Sequence, residues 1–313
     1  MAEAKTWLKW GCFGCLAVVG ALVFAVVGVV AIVSLQARSE KVDTRELTHG
    51  LPAAEQAPAP PAASGAGAAV PLRPPAGAAG RVVLRLSHAA FFLERGAPGE
   101  PLRVKARYDT KSYELQEEWQ TPAGSPWSYS LGFRSRSGSI LRVLREMLGG
   151  TAPEIRLFLP PDAPIALDLE LGQAGSEVEL GGLWLTEADI EINQGGLQLG
   201  VSEPVHAPLE RLSIRAAMAG VEAVSLGNAS PRKLDLEASM GGVEFDLRGA
   251  WIADSAISIA ARMGGVEVTL PRDVNVVGAD SGRLSAGPEP ELKRPTLTFD
   301  VKAEMGGVEF RNR

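Results

Sequence analysis

Residues 234–247 read LDLEASMGGVEFDL, and residues 257–270 read ISIAARMGGVEVTL. In each, apolar and polar side chains alternate up to a methionine and a glycine pair, then alternate again. Leu234-Asp235-Leu236-Glu237 precedes the glycines of the first stretch, and Val243-Glu244-Phe245-Asp246-Leu247 follows them. Period-two alternation marks a strand with one buried face. Two such strands separated only by glycines predict a chain that bends at the glycines and keeps its apolar side turned inward.

The unit repeats. MGGVE stands at 240–244, 263–267 and 305–309, MAGVE at 218–222, and the diverged copies QGGLQ at 194–198 and QAGSE at 173–177. The second glycines are Gly175, Gly196, Gly220, Gly242, Gly265 and Gly307, spaced by 21, 24, 22, 23 and 42 residues. The last interval is close to two periods and predicts one degenerate coil, or its replacement by the proline-containing stretch around 278–296. A fixed period means that each unit buries its apolar face against its neighbours. No helical pattern separates the copies, which excludes crossovers through helices. The fold class expected is all-β: a right-handed β-solenoid of ~22-residue coils over 165–313. A β-sandwich gives no reason for a fixed period.

Stacking turns repeat positions into columns. Leu197, Val221, Val243, Val266 and Val308 are expected to point inward. Met218, Met240, Met263 and Met305 account for four of the chain's six methionines. A thioether ladder could bind soft copper, but the reading taken is an adaptable apolar filler at a tight corner. A third column, Glu177, Gln198, Glu222, Glu244, Glu267 and Glu309, is expected to face solvent. Carboxylates at strand spacing repel one another, with Arg215, Arg262 and Lys302 as the expected counter-charges. Glu177, Glu222, Glu244, Glu267 and Glu309 form the candidate interaction face, for a divalent cation or a cationic partner.

The segments LDLELGQAGSEVELGGLWLTEADIEINQGGLQL (167–199), LDLEASMGGVEFDL (234–247) and ISIAARMGGVEVTLPRDVNV (257–276) resemble the toastrack-type β-helix domain of LiaF-like and related bacterial cell-envelope proteins. The likeness spans roughly 81–313. It implies a right-handed β-helix that acts in envelope-stress sensing, adhesion or regulation through protein contacts, with no catalytic residues. LiaF-like proteins carry several N-terminal membrane helices, whereas this chain has one apolar run and a long tether.

That run is Gly11 to Leu35, free of charge and long enough as a helix to span a ~30 Å hydrocarbon core. Trp7 and Trp10 sit where an interfacial aromatic belt belongs. The expectation is a short tail at 1–10 and an uncleaved single-pass anchor at 11–35 in a bacterial plasma membrane, contacting lipid, with the C-terminal domain outside the cytoplasm. Cys12 and Cys15, the only cysteines, lie inside it, as apolar filler, with S-acylation or redox pairing as the functional alternative. Residues 36–80 read as a charged juxtamembrane stretch and an Ala/Pro/Gly-rich linker. Residues 81–164 form the N-terminal part of the β domain, with strands at 82–86 and 102–106, an aromatic-rich stretch at 108–138 and a helix near 139–148.

The net charge of −6 speaks against a nucleic-acid partner. It is uneven: residues 81–150 hold 11 basic and 7 acidic side chains, and residues 151–313 hold 14 and 25. His49, His88 and His206 fall in no metal or catalytic motif. Ser230 and Lys233 match S-x-x-K without companion motifs, and Asn228-Ala229-Ser230 is a formal sequon followed by Pro231. No catalytic residue, cofactor or metal is expected, and the chain reads as a binding or regulatory module rather than an enzyme. The partner expected is an envelope or membrane protein. A self-assembling scaffold or adhesin is the alternative, and a carbohydrate-active β-helix a more remote one.

Overall fold

The computed structural model describes residues 42–50, 79–121, 126–136, 152–278 and 294–312. The apolar run 11–35, linker residues 51–78 and the helix expected near 139–148 lie outside the described residues. Among the described residues no helix is long and apolar enough to cross a membrane.

The described chain is all-β. Five long strands carry the repeats: β8 (Ile165–Glu179), β9 (Leu185–Gly200), β10 (Arg211–Val224), β11 (Lys233–Asp246) and β12 (Ser255–Leu270). Each continues through its glycine position, so the two alternating halves belong to one bent strand. Neighbours pair in parallel and in register: Leu169, Ile190, Ile214, Leu236 and Ile259 align across five strands. All five are at most 2% exposed. A second buried column, Val178, Leu199, Ala223, Phe245 and Val268, lies beyond the glycines. Fully burying such a side chain contributes about 1.5–3 kcal/mol, and no strand can do so without the strand beside it.

Return loops carry the chain from each strand to the next and cover the apolar face with Leu180, Leu183, Val201, Leu209, Leu226 and Leu247, all 0% exposed. They are tied to one another as the strands are. Asn228 donates Nδ2–H to the Val201 carbonyl at 2.7 Å, and its Oδ1 accepts the Ala250 amide at 2.9 Å. Ser230 Oγ accepts the Ile252 and Ala253 amides at 2.9 and 3.1 Å. The formal sequon and the S-x-x-K serine are thus engaged in loop-to-loop bonds.

The stack extends further toward the N-terminus than the glycine signature does. β2 (Gly80–Leu86) pairs in parallel with the first half of β8, and β3 (Ala90–Arg95) with its second half. Together they make one more level, broken at Ser87–Ala89 instead of bending at glycines. β6 (Ser128–Ser135) lies on β2 and β7 (Glu154–Leu159) on β3, both parallel. The direction then reverses: β5 (Tyr113–Gln120) runs antiparallel to β6, and β4 (Leu102–Asp109) antiparallel to β7.

β1 (Val42–His49) pairs antiparallel with β4 over eight residues, from Val42↔Asp109 to His49↔Leu102. This corrects the assignment of 36–80 as juxtamembrane stretch and linker throughout. VDTRELTH has no apolar alternation because β1 is an edge strand, open to water over most of its length, and the backbone ladder holds it. Leu47 is its one large apolar side chain packed on the core.

The 42-residue interval is also resolved. β14 (Thr296–Ala303) and β15 (Gly307–Asn312) pair directly with the two halves of β12, Gly265 opposite Gly307. No coil intervenes. β13 (Asn275–Gly278) pairs with the far side of β14. The sheet is 15-stranded and open, its main path running from β1 to β13.

Candidate functional site

At the bend the two glycines of each repeat do different work. The first-glycine positions are Ala174, Gly195, Ala219, Gly241, Gly264 and Gly306. Gly241 has φ +130°, and a Cβ there would lie 2.3 Å from the Ala219 carbonyl oxygen. Cβ atoms on Gly264 and Gly306 would meet backbone oxygens of the level beneath at 2.2 and 2.4 Å. Close stacking requires glycine at these three levels, yet two other levels carry alanine. The second-glycine column is the reverse. Gly175, Gly196, Gly242, Gly265 and Gly307 have nothing within 4 Å of a Cβ, and at Gly220 the nearest atom is an ordinary 3.9 Å away. None of the six has a positive φ. Neither backbone conformation nor packing asks for glycine, and all six levels carry it.

These glycines form the floor of one continuous groove of about 1120 Å³ that crosses the stack from Ala90 and Phe92 to Glu309. Its wall is the predicted acidic column. Backbone register places Glu177 opposite Gln198, then Glu222, Glu244, Glu267 and Glu309 in succession. All are exposed except the half-buried Glu267. Adjacent strands lie ~4.8 Å apart, where two unit charges repel by about 1 kcal/mol in water. The column Leu197, Val221, Val243, Val266 is at most 3% exposed, as expected, and Val308 on the last strand is half-buried.

Two expectations about this region need correction. Arg215, Arg262 and Lys302 do not neutralise the acidic column. Arg215 reaches Asp189 at 2.8 Å and Glu191 at 3.8 Å, Arg262 reaches Glu237 at 3.5 Å, and Lys302 reaches Asp300 at 3.5 Å. These carboxylates belong to the strand halves before the bend. The register aligns Arg215 with Glu191 and Glu237, several residues from the groove. Second, the methionines are not buried fillers: Met218, Met240, Met263 and Met305 are 49, 40, 46 and 87% exposed. They form an exposed apolar ladder two residues ahead of the glycine floor. The bend turns them out of the core, and Met305 has φ +52°.

Arg311 is the cation the sequence reading did not assign to the column. Its guanidinium bonds Glu267, and its Nε reaches Glu309 at 3.1 Å. The Glu309 bond, with the fields of Glu267, Glu309 and Glu244, holds Arg311 above the usual guanidinium range. Glu177, Glu222 and Glu244 have no ion pair among the described residues. No three His, Cys, Asp or Glu side chains converge as metal ligands there either.

Beside the acidic wall, Asp246 accepts hydrogen bonds from the Arg248 amide at 2.9 Å and its guanidinium at 2.7–2.8 Å. Burial pushes the Asp246 carboxyl up, but the Arg248 bonds outweigh it, and the pKa lies below the usual carboxylate value. A depressed carboxylate contributes stability above its unfolded pKa, and that contribution is lost as pH falls through the folded pKa. Asp246→Asn is therefore expected to lower Tm at neutral pH and to flatten the decline that the parent shows below about pH 4. Tm measured against pH for both chains checks this.

The basic, aromatic-rich N-terminal part contains a second cluster. His49 at the end of β1 stacks on Trp119, 5.0 Å between centroids, and its Nε2 lies 2.6 Å from Glu117. Tyr129 donates its hydroxyl to the same carboxylate at 2.9 Å, and burial drives the Tyr129 pKa strongly upward. This cluster pins the edge strand to β5 and β6. His206 stacks on Trp184, 6.0 Å between centroids, away from it in the return loops.

No protein-family model matches the chain, and no curated protein matches it. Among solved structures, a protein named as a cell-adhesion protein from Clostridium sporogenes is 12% identical, with 87% of this chain and 100% of that one covered and a TM-score of 0.37. A protein named as an adhesin from Bacteroides fragilis is 10% identical over 87% and 97%, with a TM-score of 0.35. One named as a lipid-binding protein from Parabacteroides distasonis is 9% identical over 86% and 96%, with a TM-score of 0.26. Likenesses this slight transfer neither a fold nor a function.

Proposed function

We propose that the chain is a non-catalytic binding module of the bacterial cell envelope, in which a right-handed β-solenoid holds an elongated partner along its glycine-floored groove. The observation that carries this reading is the second-glycine column. Six levels keep the smallest residue where the fold leaves room for a larger one. Glycine in a strand without a structural cause marks close approach by another molecule. The apolar run 11–35 would anchor the module in the plasma membrane, and the linker would let the stack stand off from it. The sequence resemblance to LiaF-like envelope proteins supports a partner in the same compartment.

Photo-cross-linking of the full-length chain in its own membrane tests the reading. A photoreactive residue replacing Gln198 is expected to trap a discrete partner, and Gly220→Leu with Gly242→Leu should abolish the adduct. An adduct that survives the filled groove would overturn the groove as the binding face.

Self-assembly through the stack is the second reading. It is favoured by β15, whose only strand partner among the described residues is β12. Sedimentation of the full-length chain over a concentration series separates the two, since only self-assembly makes the sedimentation coefficient rise with concentration.

A further inference from the structure

The groove wall carries like charges whose counter-ions the fold has placed elsewhere. Arg215, Arg262 and Lys302 are committed to carboxylates before the bend, and Glu177, Glu222 and Glu244 have no ion pair among the described residues. Among the described residues the one cation the column receives is Arg311, and it spans two levels by bonding Glu267 and Glu309 together. That pair shows which group the wall accepts: a guanidinium lying between successive levels.

The floor narrows the choice further. Gly196 pairs with Gly220 and Gly242 with Gly265 in the parallel ladders, so along the levels from Glu177 to Glu244 the groove has no free strand edge to extend; among the described residues the open edge is that of β15, at the end that Arg311 occupies. A partner is read by side chains. The groove-lining side chains that carry polar groups are carboxylates, a glutamine and a serine, acceptors for the most part. Anionic polymers are repelled. A glycan would call for aromatic platforms at intervals, but the groove has only Phe92, at one end, with the Arg156 guanidinium 4.4 Å over its ring. The exposed methionine ladder flanking the floor suits the aliphatic stems of arginine and lysine, which bury along apolar surface while their heads stay with charge.

We infer that the groove takes an extended peptide segment bearing arginine or lysine side chains, laid along the stack with its cations between successive glutamates; this rests on the groove reading above. Arg311 occupies the last two levels from within the chain, and the partner occupies the levels from Glu177 to Glu244.

Fluorescence anisotropy of labelled hexa-arginine with the full-length chain tests this, with cellohexaose as the neutral probe. Hexa-arginine is expected to bind, and to bind less tightly as salt is raised. Glu222→Gln with Glu244→Gln should weaken it about tenfold or more. Glu187→Gln, an exposed carboxylate outside the groove, should leave it unchanged. Gly242→Leu with Gly265→Leu should weaken it with the charges intact. Circular dichroism verifies the fold of each variant, and the surface Glu→Gln pair decides alone if the leucines prevent folding. No binding of hexa-arginine, or equal losses for Glu187→Gln and the groove pair, overturns the inference. Cellohexaose binding that the leucines abolish and the Glu→Gln pair spares would leave the groove reading standing and remove the basic peptide. If neither probe responds to floor or wall, both readings fall.

Discussion

Gly241→Ala is expected to destabilise the chain by on the order of 2–4 kcal/mol, whereas Gly242→Ala, one residue away, leaves it as stable or slightly more so. The two glycines face opposite constraints. Gly241 sits at φ +130°, a region closed to side-chain-bearing residues, and its Cβ would press to 2.3 Å on the Ala219 carbonyl of the neighbouring strand. That backbone is held on both sides by the β10–β11 pairs Met218↔Met240 and Val221↔Val243, so it has little room to yield. Gly242 has ordinary φ and free space, so alanine removes only unfolded-state entropy, worth about 0.4–1 kcal/mol in its favour. Urea unfolding of the two variants beside the parent checks the contrast. Equal destabilisation at both sites would mean that both glycines serve the bend.

Phe245→Ala is expected to cost about 3–5 kcal/mol. Phe245 is 2% exposed and lies in register between Ala223 and Val268. The volumes alternate down this column: a small residue on β10 makes room for the phenyl ring on β11. The ring has no equal beside it to relax into the space its removal leaves, so the cavity persists. Ala223→Phe should be destabilising for the converse reason, since two rings cannot occupy adjacent levels there. Denaturant midpoints give both. A loss below about 1 kcal/mol for Phe245→Ala would show that the levels are not packed in this register.

Much of this architecture is legible in the sequence because a stacked strand repeats its environment. Val221, Val243 and Val266 share one neighbourhood, and so do Glu222, Glu244 and Glu267; one period shows both columns. What escaped notice has no period. The level made by β2 and β3 breaks at Ser87–Ala89 and lacks the glycine bend, so the alternation at 82–86 marked β2 as a strand, but nothing marked β3 or the level that the two make. β1 is held by its backbone and by the His49 cluster, neither of which leaves an apolar pattern. The methionines misled for a physical reason. An apolar residue at a fixed repeat position reads as core, but the bend at the next residues rotates it outward. The pairing of Arg215, Arg262 and Lys302 depends on which strand half each occupies, which composition does not reveal. Arg311 lies in register with Thr269 and Asp246, a repeat position that carries a different residue at each level, so no column announces it. The open glycine column was read as conformational need; only the space around each Cβ separates the glycines that the bend requires from those that it does not.

The most direct test of the central claim, that the second-glycine column serves a ligand and not the fold, is the quadruple variant Gly196→Ala, Gly220→Ala, Gly242→Ala, Gly265→Ala. Its thermal unfolding should be measured beside that of the full-length parent, together with the groove cross-link. The account predicts a Tm equal to the parent's or higher, with the cross-linked adduct diminished. A Tm lower by about 10 °C or more, the shift that several kcal/mol produces in a chain of this size, would contradict it and return the column to the fold.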